Sequence, residues 1–196
     1  MGRKAEALDL ADLLAGYRQL RRERDRLLFG AMLLTGARIG EAIQLEQRDA
    51  YHDDGAPRQK LDLRPEICKG RHGGRVPIGP DLRELLIGYW PHLRRHDPHA
   101  PLFPSQKGGG PLTRSGAQRI IGGAFRRARV DGGTAHSLRK GFATLLLKRG
   151  APANIVRELM RHKSLKTTDA YIAAAKDFEL RTAVENLACP LFNLGS

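Results

Sequence analysis

Thr134 to Ile172 reads TAHSLRKGFATLLLKRGAPANIVRELMRHKSLKTTDAYI. Leu138, Phe142, Leu145 and Leu146 recur at helical spacing and predict a helix with one core-facing stripe. His136 and Arg139 lie three apart and displaced from that stripe. Both are therefore expected to face outward from one side of the helix. Gly150 is placed to end it, as glycine often does at a helix C-terminus. A second helix follows, with Ile155, Val156, Leu159 and Met160 as its buried side. His162 comes just past that helix, and Tyr171 follows nine residues later, behind the polar Ser164, Thr167 and Thr168.

Upstream, Asp9 can cap a short helix carrying Leu10, Leu13, Leu14 and Tyr17 on one side. Arg18 to Arg26 is a dense basic run, diluted by Glu23 and Asp25. It suits either DNA phosphates or a solvated helix face. Leu27 to Leu34 predicts a buried helix broken by Thr35-Gly36. A new helix is expected near Arg38, with Ile39, Ala42, Ile43 and Leu45 turned inward. Arg38 and Glu41 stand three apart on it, so the carboxylate can hold the guanidinium in place. The plain alternative is a surface ion pair worth about 0–1 kcal/mol.

Arg48 to Ile78 reads as short strands, with Leu61, Leu63 and Ile67 alternating around polar residues and Asp53-Asp54-Gly55 as a turn. Lys69 to Gly74 is the glycine-rich tip of a hairpin, and Arg75 to Ile78 returns. The tip lacks the spacing of a nucleotide-binding P-loop. Gly79-Pro80-Asp81 starts a helix through about Trp90. His92, His96 and His99 follow in a proline-crowded connector, where no carboxylate or cysteine completes a convincing metal set. Pro101 to Pro111, with three consecutive glycines, reads as a flexible loop. Thr113 caps an arginine-rich helix to about Arg129, and Asp177 to Leu187 is a last amphipathic helix before a tail.

Thirty-four basic residues against 21 acidic give a formal net charge of +13, which favours a polyanionic partner. The two cysteines, Cys68 and Cys189, are far apart and form neither a disulfide framework nor a zinc spacing. A reduced, cytosolic setting is expected. No apolar run approaches the roughly 20 residues of a membrane span, and the N-terminus has no signal-peptide pattern.

The spacing His136-x-x-Arg139, then His162, then Tyr171 resembles the second conserved box of the tyrosine recombinases, the phage-integrase family. Thr35-Gly-Ala-Arg38-Ile-Gly-Glu41 resembles the family's first box, and Cys68-Lys69-Gly70 with Arg75 to Ile78 resembles its lysine-bearing hairpin. The motifs occur in order, from about Ala7 to Phe178. The resemblance implies a mainly helical α+β catalytic fold with a small antiparallel β-sheet. It departs in one place: the family usually has glycine before the second histidine, where this chain has Arg161. That extra cation is expected to touch DNA. The family also commonly carries a separate N-terminal core-binding domain. Here the pattern begins almost at Met1, so residues 1–196 are expected to form a single catalytic domain without it. The chain is then either excised or naturally short.

The resemblance implies site-specific cleavage and rejoining of DNA strands through a covalent 3′-phosphotyrosine, with Tyr171 as nucleophile. Arg38 and Arg139 would clamp the non-bridging oxygens, and His162 would donate a further hydrogen bond. His136 would act as base and Lys69 as the acid that protonates the 5′-hydroxyl. These side chains suit phosphodiester transfer without metal or cofactor, since such catalysis is mainly positioning and electrostatics. The expected partner is double-stranded DNA, bound by a homo-tetramer on paired sites, with a free monomer and no membrane. Residues 177–196 would dock on a neighbouring protomer or pack on their own domain. Two other readings stand: a topoisomerase that relaxes DNA, and a non-cleaving DNA-binding regulator with the same fold.

Overall fold

Nine successive residues, Leu27 to Thr35, are buried, and they explain the architecture. Such a helix is apolar on every side and must be enclosed by its neighbours. In the computed structural model, which describes residues 8–93, 96–106, 108–161 and 180–187, it is α2 (Glu23–Thr35). It packs against α4 (Pro80–Tyr89) on one side and α6 (Ala135–Lys148) on the other. The first helix, α1 (Leu10–Arg18), begins at Asp9 in a capping box with Asp12 and lies on α5 (Arg114–Arg127). Phe29 joins these layers, with its ring 5.8 Å from Tyr17 and 5.6 Å from Phe125. Two shorter helices are the four-residue α3 (Ile39–Ala42) and α7 (Ala153–Leu159).

Among the described residues the sheet has two antiparallel strands, β1 (Lys60–Leu63) and β2 (Gly74–Pro77), paired from Lys60 with Pro77 to Leu63 with Gly74. Leu61, Leu63 and Val76 face the core, as period-two alternation requires. The alternation stops there. Ile67 was expected to continue the strand but lies in a 3₁₀ turn, Pro65–Ile67, because proline cannot donate to a ladder. Residues 101–111 also differ from expectation. Leu102 and Phe103 are fully buried, and Pro104 bridges to Pro111, so the segment is anchored rather than a free loop.

The basic run is divided. Arg24 pairs with Asp25 at 2.7 Å and donates to the Pro104 carbonyl, whereas Arg18, Arg21 and Arg22 are exposed. Residues 180–185 are helical, and Val184 and Leu187 are buried in this same domain. Gly79 makes room for them, since a Cβ built there would lie 2.9 Å from Val184 Cγ1. No described helix is long and apolar enough to cross a membrane.

Candidate active site

The end of α2 creates the corner on which the site is built. Gly36 takes φ +64°, where an added Cβ would lie 2.6 Å from the Phe142 ring. Left-handed backbone and a closely packed ring both demand glycine here. The chain then turns and presents Arg38 at the start of α3. One turn on, Glu41 accepts from the Arg38 guanidinium at 2.7 Å through Oε1 and from the Arg38 backbone N–H at 2.8 Å through Oε2. Glu41 is 2% exposed and the Arg38 side chain 38%. The carboxylate is therefore an inner anchor and the guanidinium faces outward. This is the holding role expected from the spacing, and burial distinguishes it from an ordinary surface pair.

Arg139 does not face outward with His136. It is 4% exposed, and its guanidinium donates to the carbonyls of Gly36 and Met160. These are the C-terminal caps of α2 and α7. Helix ends leave carbonyls without intrahelical partners, and a cation there also meets the negative end of the helix dipole. That attraction draws Arg139 inward. Burial pushes its pKa down to about 10, helped by the nearby Arg38 and Arg161 and opposed by Glu41. It stays charged at neutral pH. His136, in the first turn of α6, is exposed.

Arg161 also departs from expectation. It does not extend toward solvent, and its side chain is 8% exposed. Its backbone has φ +51°, a conformation that favours glycine. From this turned backbone the guanidinium reaches Glu41 Oε2 at 2.7 Å. Its Nε is buried and has no hydrogen-bond partner among the described residues. Burial tends to raise the Glu41 pKa, but Arg161, the Arg38 N–H and the Arg38 guanidinium outweigh this, so the carboxyl lies below its ordinary value. The sequence alone directs Arg161 toward DNA rather than toward Glu41. The sign that it belongs here is the glycine customary at this place, which marks a left-handed corner.

The hairpin lies against this cluster. Gly74 is open enough for Arg161 to pass, since a Cβ at Gly74 would lie 3.2 Å from Arg161 Cδ. Cys68 is buried, with its thiol pKa raised by burial and by Glu41. Lys69 follows immediately, exposed in the Lys69–Arg71 turn, where Gly70 and Arg71 have positive φ. The structure thus brings Arg38, Arg139 and the turn bearing Lys69 to one region. His162 and Tyr171 lie outside the described residues; Met160 and Arg161 lead to them directly.

Arg114, Arg119, Arg126, Arg127 and Arg129 are exposed on and just beyond α5. A cavity of about 1030 Å³ lies along the two strands and the segment before β1. It contains none of the expected catalytic residues. In the connector, His96 stacks on Trp90 with ring centroids 4.1 Å apart.

A buried carboxylate holding one arginine, a second arginine across two helix ends and the turn bearing Lys69 thus meet at one corner of the chain. The family model described as "Phage integrase family" matches residues 4–177, and the chain belongs to that family. It is 36% identical over 163 residues to the tyrosine recombinase XerD of Corynebacterium glutamicum, covering 79% of this chain and 49% of that protein. An integrase from mycobacterium phage Brujita shares the fold with a TM-score of 0.73 at 22% identity, covering 98% of this chain and 60% of that one. The XerH site-specific recombinase, solved in a post-cleavage complex with a palindromic difH substrate, aligns with a TM-score of 0.64 at 25% identity. That alignment covers 88% of this chain and 52% of XerH. The chain spans about half the length of the curated relatives it matches.

Proposed function

We propose that this chain is the catalytic unit of a site-specific DNA recombinase that cuts and rejoins strands through Tyr171. The observation that carries this reading is the convergence of Arg38 and Arg139 on the corner leading into His162. Two fixed guanidiniums can neutralise the charge that develops on the non-bridging oxygens, and a planar fork does so with defined geometry. Tyr171 Oη attacks phosphorus and the bond from phosphorus to O5′ breaks. His136 takes the phenol proton, and Lys69 delivers a proton to O5′. Each transfer is worth about 10²–10⁴ in rate. The phosphotyrosine conserves the bond energy, so a 5′-hydroxyl from another strand can reverse the step without ATP.

The exposed arginines of α5 and the charge of +13 supply contacts to the DNA backbone. Assembly as a tetramer on paired sites in the cytoplasm, with a free monomer, belongs to the same reading. The test is a nicked suicide substrate resolved on a denaturing gel. Wild-type protein is expected to form a covalent adduct, and Tyr171→Phe to lose it while retaining DNA affinity. An adduct that survives Tyr171→Phe would identify another nucleophile. Exchange between two sites then separates recombination from simple relaxation of DNA.

A further inference from the structure

We propose that Arg161 is a positioning residue that fixes the phosphate-binding orientation of Arg38 by occupying the second oxygen of their shared carboxylate. The inference rests on the recombinase reading above and goes beyond it by adding a member to the site. Glu41 offers two oxygens. Oε1 receives the Arg38 guanidinium at 2.7 Å, while Oε2 receives Arg161 at 2.7 Å and the Arg38 backbone N–H at 2.8 Å. A free carboxylate facing arginine tends to take both arms of the fork in a bidentate pair. Arg161 blocks that arrangement. Among the described residues Arg38 therefore spends one guanidinium donor on Glu41, and 38% of its side chain is accessible.

The placement of Arg161 is built rather than incidental. Its backbone sits at φ +51°, and its stem passes Gly74 of β2 at a distance that a larger residue would obstruct. Its neighbour Met160 supplies the carbonyl that Arg139 grips. One corner thus fixes both phosphate-binding arginines: Met160 holds Arg139, and Arg161 holds Arg38 through Glu41. Because Arg161 is almost wholly buried, it acts on Arg38 and not on DNA.

Arg161→Met keeps the side-chain stem and the backbone constraint but removes the charge; Arg161→Lys keeps a charge without the fork. Cleavage is measured on suicide substrates with either an ordinary scissile phosphate or a methylphosphonate, whose methyl group removes the negative charge. Arg161→Met should slow cleavage of the ordinary substrate roughly 10–100-fold, the range for losing an outer partner of a site ligand. The methylphosphonate should reduce that deficit to within about threefold, because a neutral centre no longer needs a fixed Arg38. Arg161→Lys should fall between Arg161→Met and wild type. Equal damage on both substrates, or none on either, would overturn the proposal. A second readout needs no cleavage: the Nε–H resonance of Arg38, assigned by its loss in Arg38→Lys. It should shift or broaden in Arg161→Met, and an unchanged resonance refutes the positioning role. If the wild type forms no adduct, the recombinase reading fails, while the resonance still decides whether Arg161 fixes Arg38.

Discussion

Replacing Glu41 with glutamine tests how the corner is held together. The substitution preserves volume and removes one negative charge from a residue 2% exposed. Its two guanidinium partners would not suffer equally. Arg38 is 38% exposed and can turn to water, so its half of the interaction is worth at most about 1 kcal/mol. Arg161 is 8% exposed and would remain a buried cation without a counter-charge. Breaking a buried pair from one side costs about 3–5 kcal/mol, and this contribution dominates. For a domain of this size, roughly 2–4 °C of melting temperature is lost per kcal/mol. The expected fall is therefore roughly 6–20 °C in a thermal melt monitored by circular dichroism. Glu41→Gln combined with Arg161→Met should recover most of the loss, because the buried cation left without a counter-charge is itself removed. The pH dependence follows the same logic. The folded carboxyl lies below its ordinary value of 4.5, so the unfolded chain takes up its proton first as pH falls. This contribution is present above that value and disappears as pH drops through the lower, folded one. Glu41→Gln should flatten that part of the acid profile. A change under about 1 kcal/mol, the surface-pair range, with no effect of Arg161→Met in the Gln background, would refute the buried-anchor argument.

Other consequences can be checked separately. Gly36→Ala should cost about 2–5 kcal/mol in denaturant unfolding, combining left-handed backbone with a methyl group driven into Phe142. Removing residues 177–196 exposes the surface that receives Val184 and Leu187, at about 1.5–3 kcal/mol each, and should lower the melt of the free monomer. Lys69→Ala should slow cleavage strongly, yet a substrate with sulfur in place of the bridging 5′-oxygen should restore most of the rate, since that leaving group needs no acid. Adduct formation should persist in EDTA, and loss that Mg²⁺ restores would overturn the metal-free chemistry.

The legible part of the sequence was that governed by local rules. Asp9 and Thr113 cap where their side chains can reach backbone N–H groups, and the uninterrupted Leu27 to Leu34 run marked the enclosed helix. Arg38 and Glu41 were legible because a helical turn brings residues three apart together. Arg139 was misread because periodicity assigns a face but cannot reveal carbonyls from distant segments waiting on it. Gly36 is 103 positions away from Arg139 in sequence. Arg161 was misread for a related reason: a surface arginine and one turned inward by a positive φ have the same letter. Leu102 and Phe103 were hidden among prolines and glycines, whose turn signals outweighed two apolar residues.

Arg139 serves two masters. It is drawn into the site as a cation and kept there by two helix ends that would otherwise leave carbonyls unpaired. Selection for a folded chain therefore preserves this arginine even where selection for strand cleavage has ceased. A relative that had become silent could keep Arg139 while drifting at Lys69 and His136, which are exposed. On the proposed reading, the first record of lost activity in descendants of this domain would be written in those two surface residues.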